Sequence, residues 1–265
     1  MKVVILCGGK GTRLREETEY RPKPMVPIGG RPILWHIMKT YAAQGHKEFI
    51  LCLGYRGEVI RDFFRNYLWM MSDVTLKLGR TPELQFHTGH DEEDWTVTLA
   101  ETGDETMTGG RIKRIQPYLQ GDNTFLMTYG DGVGDIDVNR GIEFHKQHGR
   151  IATLTAVRPP GRFGELGMDG NRVATFNEKA QAGGGWINGG YFVLSNRVFD
   201  YLHDSERVMF EHAPMRRLAS EGELMAFHHE GFWQPMDTYQ EYLFLNQLWS
   251  EGRAPWKRWN IQGGV

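Results

Sequence analysis

The sequence predicts a doubly wound α/β fold with a parallel sheet. Short apolar runs, such as residues 3–7 and 49–53, have the length of buried strands, and stretches with helical periodicity follow them. The connections between these elements are short, which favours parallel strands joined by helices. Glycine supplies 33 of the 265 residues without any repeat, and several glycines directly follow predicted strands. Ligands of doubly wound folds bind at the carboxyl ends of strands, so these loops are candidate binding elements.

The first half of the chain, residues 1–150, alternates predicted strands and helices. One helix has Ile33, Leu34, Ile37 and Met38 on a single face and Gly45 at its end. In chain order we expect a strand at 2–7, a helix at 31–44, a strand at 48–53, a helix at 58–68, strands at 74–78 and 95–99, a helix at 111–118 and a strand at 124–129.

The second half, residues 151–265, continues the pattern with three predicted strands and helices near its end. The strands are expected at 151–157, 173–177 and 190–194. No stretch rich in proline or serine separates the two halves. We therefore expect one domain over residues 1–265, with one continuous sheet.

Charge and composition exclude several classes of protein. The formal net charge of −2 disfavours a general nucleic-acid binder. No apolar run reaches the ~18 residues of a membrane helix or resembles a signal peptide, so we expect no membrane partner and a cytoplasmic location. Cys7 and Cys52 lie in apolar runs, which predicts reduced core thiols, and the ten histidines show no metal-site spacing.

The first predicted strand ends in a glycine-rich loop that is suited to phosphate. After Leu6, the residues Gly8, Gly9 and Gly11 allow backbone N–H groups to approach an anion, and Thr12 and Arg13 add a hydroxyl and a charge. The loop is neither a Walker A motif nor a complete dinucleotide fingerprint. The alternative is an ordinary tight turn between a strand and a helix.

The segment after this loop is locally basic. Between residues 10 and 31 there are six basic and three acidic residues, a balance that suits a polyphosphate ligand. Lys23 lies between Pro22 and Pro24, which restrict the backbone on both sides of it. Lys23 is therefore a candidate for a charge held in a defined position.

Two aspartates are candidate metal ligands. Asp131 follows a predicted buried strand between Gly130 and Gly132, and Asp237 precedes the last predicted helix. Two carboxylates beside phosphate groups suit Mg²⁺. The alternatives are a turn residue for Asp131 and a helix N-cap for Asp237.

The segments 6–14 and 21–34, LCGGKGTRL and RPKPMVPIGGRPIL, resemble the sugar-1-phosphate nucleotidylyltransferases. Further similar segments extend the resemblance to about Trp259; they are 103–111, 129–133, 159–164, 187–190 and 231–238. The resemblance implies a Rossmann-like doubly wound mixed sheet of the nucleotide-diphospho-sugar transferase type with a sugar-binding lobe. Residues 1–150 would bind the nucleotide and residues 151–265 the sugar phosphate.

The resemblance also implies roles for individual residues. It implies that Arg13, Lys23 and Asp131 are catalytic and that Asp131 and Asp237 bind Mg²⁺. The implied nucleotide-binding residues are Leu6, Gly8, Gly9, Gly11, Thr12, Arg13, Lys23, Thr106, Gly109, Gly110, Arg111 and Gly130. The expected sugar-phosphate residues are Glu178, Lys179, Asn188 and Gly189, with Trp233 as either a pocket wall or a packing residue.

The implied reaction joins CTP and glucose 1-phosphate to give CDP-glucose and pyrophosphate, by in-line attack on the α-phosphate of CTP. A homo-oligomer is also implied. Two alternatives stay open: a cytidylyltransferase that acts on another phosphorylated acceptor, and a non-catalytic subunit that binds a nucleotide sugar. Retention of Arg13, Lys23 and Asp131 favours an enzyme.

Overall fold

A seven-stranded sheet contains strands from both halves of the chain. The computed structural model describes residues 1–11, 13–79, 83–87, 94–159, 165–169, 172–177, 185–203 and 205–259. Its strands are β1 (Val3–Leu6), β2 (Pro27–Ile28), β3 (Arg31–Pro32), β4 (Glu48–Leu53), β5 (Val74–Lys77), β6 (Glu83–Phe86), β7 (Thr96–Glu101), β8 (Thr124–Tyr129), β9 (Gly132–Gly134), β10 (Ala152–Val157), β11 (Glu165–Asp169), β12 (Arg172–Asn177), β13 (Ile187–Ser195), β14 (Leu224–His229) and β15 (Trp233–Pro235).

The helices connect these strands and cover both faces of the sheet. They are α1 (Arg15–Thr18), α2 (Ile33–Ala42), α3 (Gly57–Arg65), α4 (Tyr67–Met71), α5 (Thr108–Arg114), α6 (Val138–His148), α7 (Ala213–Ser220) and α8 (Tyr239–Ser250). Short 3₁₀ helices occupy Lys23–Met25, Gln116–Leu119 and Asn196–Tyr201. In the described part of the chain, no helix has the length and apolar character needed to cross a membrane.

The strand order is β14-β10-β13-β8-β1-β4-β7, and the sheet is mixed. Only β13 runs antiparallel to its neighbours β8 and β10, and the other described pairs in this sheet are parallel. The carboxyl ends of β1, β4, β7 and β8 therefore meet at one edge, together with the amino end of β13. This topology confirms the predicted doubly wound mixed α/β fold, whereas the division into two functional halves stays a prediction.

Apolar side chains pack on both faces of the sheet, in alternation along each strand. Val3 and Ile5 of β1 belong to one buried cluster, and Val4 and Leu6 belong to the other. Burial of successive residues on opposite faces explains why these strands are continuous apolar runs. Cys7 and Cys52 are buried free thiols, as predicted.

Several element boundaries differ from the predicted ones. The helix predicted at 31–44 is shorter, because residues 31 and 32 form β3. The helix predicted at 58–68 is two helices, with Asn66 outside helical geometry between them. The helix predicted at 111–118 begins at Thr108 and is followed by the 3₁₀ helix that contains Pro117.

Strands β5 and β6 form a separate hairpin outside the main sheet. This hairpin and α4 carry large apolar side chains that are exposed in the single chain, namely Leu68, Trp69, Met70, Leu76, Leu78, Leu84 and Phe86. The homo-oligomer implied by the sequence stays a prediction.

A buried histidine lies among tryptophans where the C-terminal segment packs on α2. The His36 side chain is fully buried, with its Nε2 2.9 Å from the Ile28 carbonyl and its Nδ1 3.4 Å from Trp256 Nε1. Since the indole N–H only donates, Nδ1 must accept and the ring must be neutral. Burial lowers the pKa of His36 from 6.5 to about 4.

We expect the free energy of unfolding to decrease as the pH falls from 6.5 toward 4. In this window the unfolded chain binds a proton at His36 that the folded chain does not, so acid favours unfolding. At pH 5 the loss due to His36 is about 2 kcal/mol. Urea unfolding at pH 7.5 and pH 5 measures it, and His36→Gln should remove that part of the dependence.

His145, whose pKa is also lowered to about 4 by burial, should retain its own share of the pH dependence in that variant. The prediction would be contradicted if the free energy of unfolding fell equally in His36→Gln and in the wild type between pH 7.5 and pH 5.

Candidate active site

A cleft of about 550 Å³ lies at the carboxyl edge of the sheet. A cavity of this volume can hold a ligand of nucleotide size. Ten of the predicted site residues line it: Leu6, Gly8, Gly9, Gly11, Arg13, Lys23, Thr106, Arg111, Gly130 and Asp131. The structure therefore brings most of the predicted nucleotide site together.

The guanidinium of Arg111 joins the ends of three neighbouring strands below this cleft. It donates to the Gly8 carbonyl after β1 at 3.0 Å, to the Leu53 carbonyl of β4 at 2.8 Å and to the Thr102 hydroxyl after β7 at 2.7 Å. Burial lowers the pKa of Arg111, although an arginine side chain stays protonated in proteins.

No carboxylate of the described residues forms an ion pair with Arg111, and neutral acceptors surround its charge. A buried cation that no carboxylate neutralises makes the floor of the glycine-rich loop electropositive. The loop therefore suits an anion through its charge as well as through its open backbone.

Lys23 is a buried ammonium that bridges the two predicted metal ligands. Its Nζ lies 2.7 Å from Asp131 Oδ2 and also forms a short ion pair with Asp237 Oδ1. Burial alone lowers the pKa of Lys23, but the two carboxylates outweigh burial and raise it. The lysine is therefore charged in the free protein, and a second cationic group, Arg13 Nη1, lies 3.1 Å from Asp237 Oδ2.

Backbone pairing explains why Asp131 and Asp237 converge. Asp131 directly precedes β9 and Asp237 closely follows β15, and these strands pair antiparallel with Gly132 opposite Pro235. The Met236 amide also donates to the Asp131 carbonyl at 2.8 Å. Thr238 is the N-cap of α8 and forms a capping box with Glu241, so the Asp237 side chain is not the cap and is available to Lys23.

The structure places other predicted residues away from the cleft lining or outside the described residues. The amides of Gly109 and Gly110 donate to the Val208 carbonyl, at 2.9 and 3.2 Å. Thr12, Glu178 and Lys179 lie outside the described residues. The roles inferred for these residues stay predictions.

On the sugar side, the structure connects three of the predicted residues to the rim of the cleft. The Trp233 indole donates to the Gly189 carbonyl at 2.8 Å, and Asn188 Nδ2 lies 3.4 Å from the Tyr129 hydroxyl. Tyr129 itself lines the cleft, and the sequence analysis missed it. Its position directly before Gly130 and Asp131, at the end of a buried strand, is a signal that could have identified it.

Comparison with known proteins agrees with this geometry. The family model described as "Nucleotidyl transferase" matches residues 2–249. The chain belongs to the nucleotidyl transferase family. Members of this family generally use a divalent metal.

Characterised relatives cover nearly the whole chain. Glucose-1-phosphate cytidylyltransferase of Salmonella typhi is 54% identical over 260 residues, which are 98% of this chain and 100% of the relative. The probable glucose-1-phosphate cytidylyltransferase of Bacillus subtilis is 47% identical over 259 residues, with 98% and 100% coverage.

Solved structures share the fold at lower identity. HddC from Yersinia pseudotuberculosis superposes with a TM-score of 0.68 at 24% identity, covering 94% of this chain and 99% of that one. A putative glucose-1-phosphate thymidylyltransferase from Bacillus anthracis has a TM-score of 0.67 at 16% identity, with 100% and 98% coverage. The fold of this chain is therefore shared with these solved structures.

We expect Gly8→Ala to destabilise the fold and Gly9→Ala to leave it intact. A Cβ at Gly8 would lie 2.1 Å from Arg111 Cζ, whereas a Cβ at Gly9 has no neighbouring atom within 4 Å. The guanidinium cannot move aside without losing hydrogen bonds to buried acceptors, so Gly8→Ala should lower the free energy of unfolding by about 2 kcal/mol.

Urea unfolding of the two variants measures this difference. For Gly9→Ala the change should stay within about 0.5 kcal/mol, as at an unconstrained surface site. Equal stabilities of the two variants would show that Arg111 does not exclude a Cβ at residue 8.

Proposed function

We propose that the protein transfers the cytidylyl group of CTP to glucose 1-phosphate, giving CDP-glucose and pyrophosphate. The observation that carries this proposal is the cluster of charges at the end of the glycine-rich loop, where the Lys23 ammonium bridges Asp131 and Asp237. The names of the relatives at 54% and 47% identity support the choice of CTP and glucose 1-phosphate.

The proposed chemistry needs no general base, because the acceptor is already an anion. A phosphate oxygen of glucose 1-phosphate forms a bond to the α-phosphorus of CTP. The bond from that phosphorus to the bridging oxygen breaks, and its electron pair leaves with pyrophosphate. Catalysis therefore depends on positioning the two phosphates and on stabilising their negative charge.

We assign different parts of this chemistry to different predicted site residues. The backbone amides of the loop at residues 8–11 and the charges of Arg13 and Lys23 would hold the phosphates of CTP. Thr106, Arg111 and Gly130 would lie beside the nucleoside. Glu178, Lys179, Asn188 and Gly189 would hold the acceptor, Lys179 by charge and the others by hydrogen bonds.

We propose Mg²⁺ as the metal, with Asp131 and Asp237 as its protein ligands. The donor set fits, since two converging carboxylates that already share one cation are hard oxygen ligands of the type that Mg²⁺ prefers. When bound, the metal would neutralise phosphate charge. Lys23 binds the same two carboxylates, so it competes with the metal for them and is available to the phosphates once it is released.

Lys23→Met should therefore bind a divalent cation more tightly than the wild type when no nucleotide is present. Mn²⁺, monitored by its EPR signal, is a suitable probe for a Mg²⁺ site. Its dissociation constant should fall by roughly tenfold, because the cation no longer displaces a buried ammonium. Turnover should fall in the same variant, since Lys23 can no longer contact the phosphates.

Two further variants make the Mn²⁺ titration specific. Asp131→Asn should weaken binding because it removes a ligand charge, and it should also abolish most of the activity. Lys47→Met removes a lysine whose ion pair with Asp94 is exposed and should bind Mn²⁺ like the wild type. Unchanged Mn²⁺ affinity in Lys23→Met would contradict competition between Lys23 and the metal.

A pyrophosphate-release assay tests the proposed function directly. The panel combines CTP, UTP, dTTP, ATP and GTP with several sugar 1-phosphates. We expect the highest kcat/KM with CTP and glucose 1-phosphate. Release with CTP and a different acceptor would favour the alternative substrate, and no release with any pair would favour a non-catalytic binding subunit.

A further inference from the structure

A segment of the second half packs against the cleft wall of the first half. Residues 205–211 lie along the N-terminal end of α5, where the Met107 amide donates to the Glu206 carbonyl at 2.7 Å and the Gly109 amide to the Val208 carbonyl at 2.9 Å. This backbone pairing brings the side chain of Glu211 to the rim of the cleft.

The Glu211 carboxylate accepts two side-chain hydrogen bonds from the cleft wall. Its Oε1 lies 2.6 Å from the Tyr129 hydroxyl and its Oε2 lies 2.6 Å from Thr108 Oγ1. Tyr129 and Thr108 both line the cleft. Glu211 is half-buried, and within the described ranges no lysine, arginine or histidine forms an ion pair with it. Its hydrogen-bonding capacity is therefore directed to these two hydroxyls.

The carboxylate determines the orientation of the groups beyond it. Since an ionised carboxylate only accepts, the Tyr129 proton is directed to Glu211, and the Tyr129 oxygen faces Asn188 Nδ2 as an acceptor at 3.4 Å. Asn188 Oδ1 in turn accepts from the Gly190 amide at 2.9 Å. The Asn188 amide thus has one orientation, with its nitrogen toward the rim of the cleft.

We propose that Glu211 is a positioning residue for the acceptor side of the cleft, which acts through Tyr129 to orient Asn188 toward the sugar 1-phosphate. This inference rests on the proposed function. It also explains why a carboxylate is present beside a site for two anionic substrates, where its charge would otherwise oppose binding.

Glu211→Met tests the proposal, because methionine has a similar length and offers neither hydroxyl an equivalent acceptor. We expect the KM for glucose 1-phosphate to rise by about tenfold, while the KM for CTP and kcat change less than threefold. Glu211→Gln keeps one acceptor and should restore part of the affinity. Tyr129→Phe should raise the same KM, and the double variant should be no worse than the poorer single variant.

Glu221→Gln is the matched control, since the Glu221 carboxylate also accepts from a tyrosine hydroxyl, that of Tyr201, and neither residue lines the cleft. It should have wild-type kinetics, and thermal melting should confirm that all variants fold. An unchanged KM for glucose 1-phosphate in both Glu211→Met and Tyr129→Phe, or an equal loss in both substrate KM values, would overturn the inference. Failure of the proposed function is distinct, because the wild type itself would then release no pyrophosphate.

Discussion

The buried guanidinium of Arg111 is the interaction on which the architecture of the cleft depends. It joins the ends of three parallel strands by donating to the Gly8 and Leu53 carbonyls and to the Thr102 hydroxyl. The charge is costly to bury, and its cost is offset by several hydrogen bonds to neutral acceptors. One residue therefore maintains the geometry of the loop ends and contributes the positive potential that an anionic ligand requires.

The space that the Arg111 guanidinium occupies explains the glycines that follow β1 and β4. A Cβ at Gly8 or at Gly54 would lie within 2.4 Å of an Arg111 side-chain atom, so the arginine can occupy this position only because glycines follow both strands. The glycines after β1 and β4 thus leave room for the Arg111 side chain. Glycine is therefore required at these two positions by the packing of Arg111 beneath the cleft.

Much of the fold and part of the candidate site could be predicted from local pattern. The central strands of the main sheet were predictable because burial on both faces produces continuous apolar runs, and Gly8 and Asp131 closely follow two of them. The edge strand β14, which is only partly buried, was not predicted. The ends of helices were less predictable, since Arg31 and Pro32 pair as a strand and Asn66 interrupts a helical pattern. The helix ends depend on tertiary contacts, and hydrophobic periodicity along the sequence carries no information about such contacts.

Contacts between the two halves could not be predicted in this way. The amides of Gly109 and Gly110, whose predicted role in nucleotide binding stays a prediction, donate to the carbonyl of Val208, a residue distant in sequence and without any motif. Glu211 was missed for the same reason, because its partners Thr108 and Tyr129 belong to the first half of the chain. A carboxylate that binds two hydroxyls of the cleft wall is recognisable only once the sheet has brought both halves to one rim.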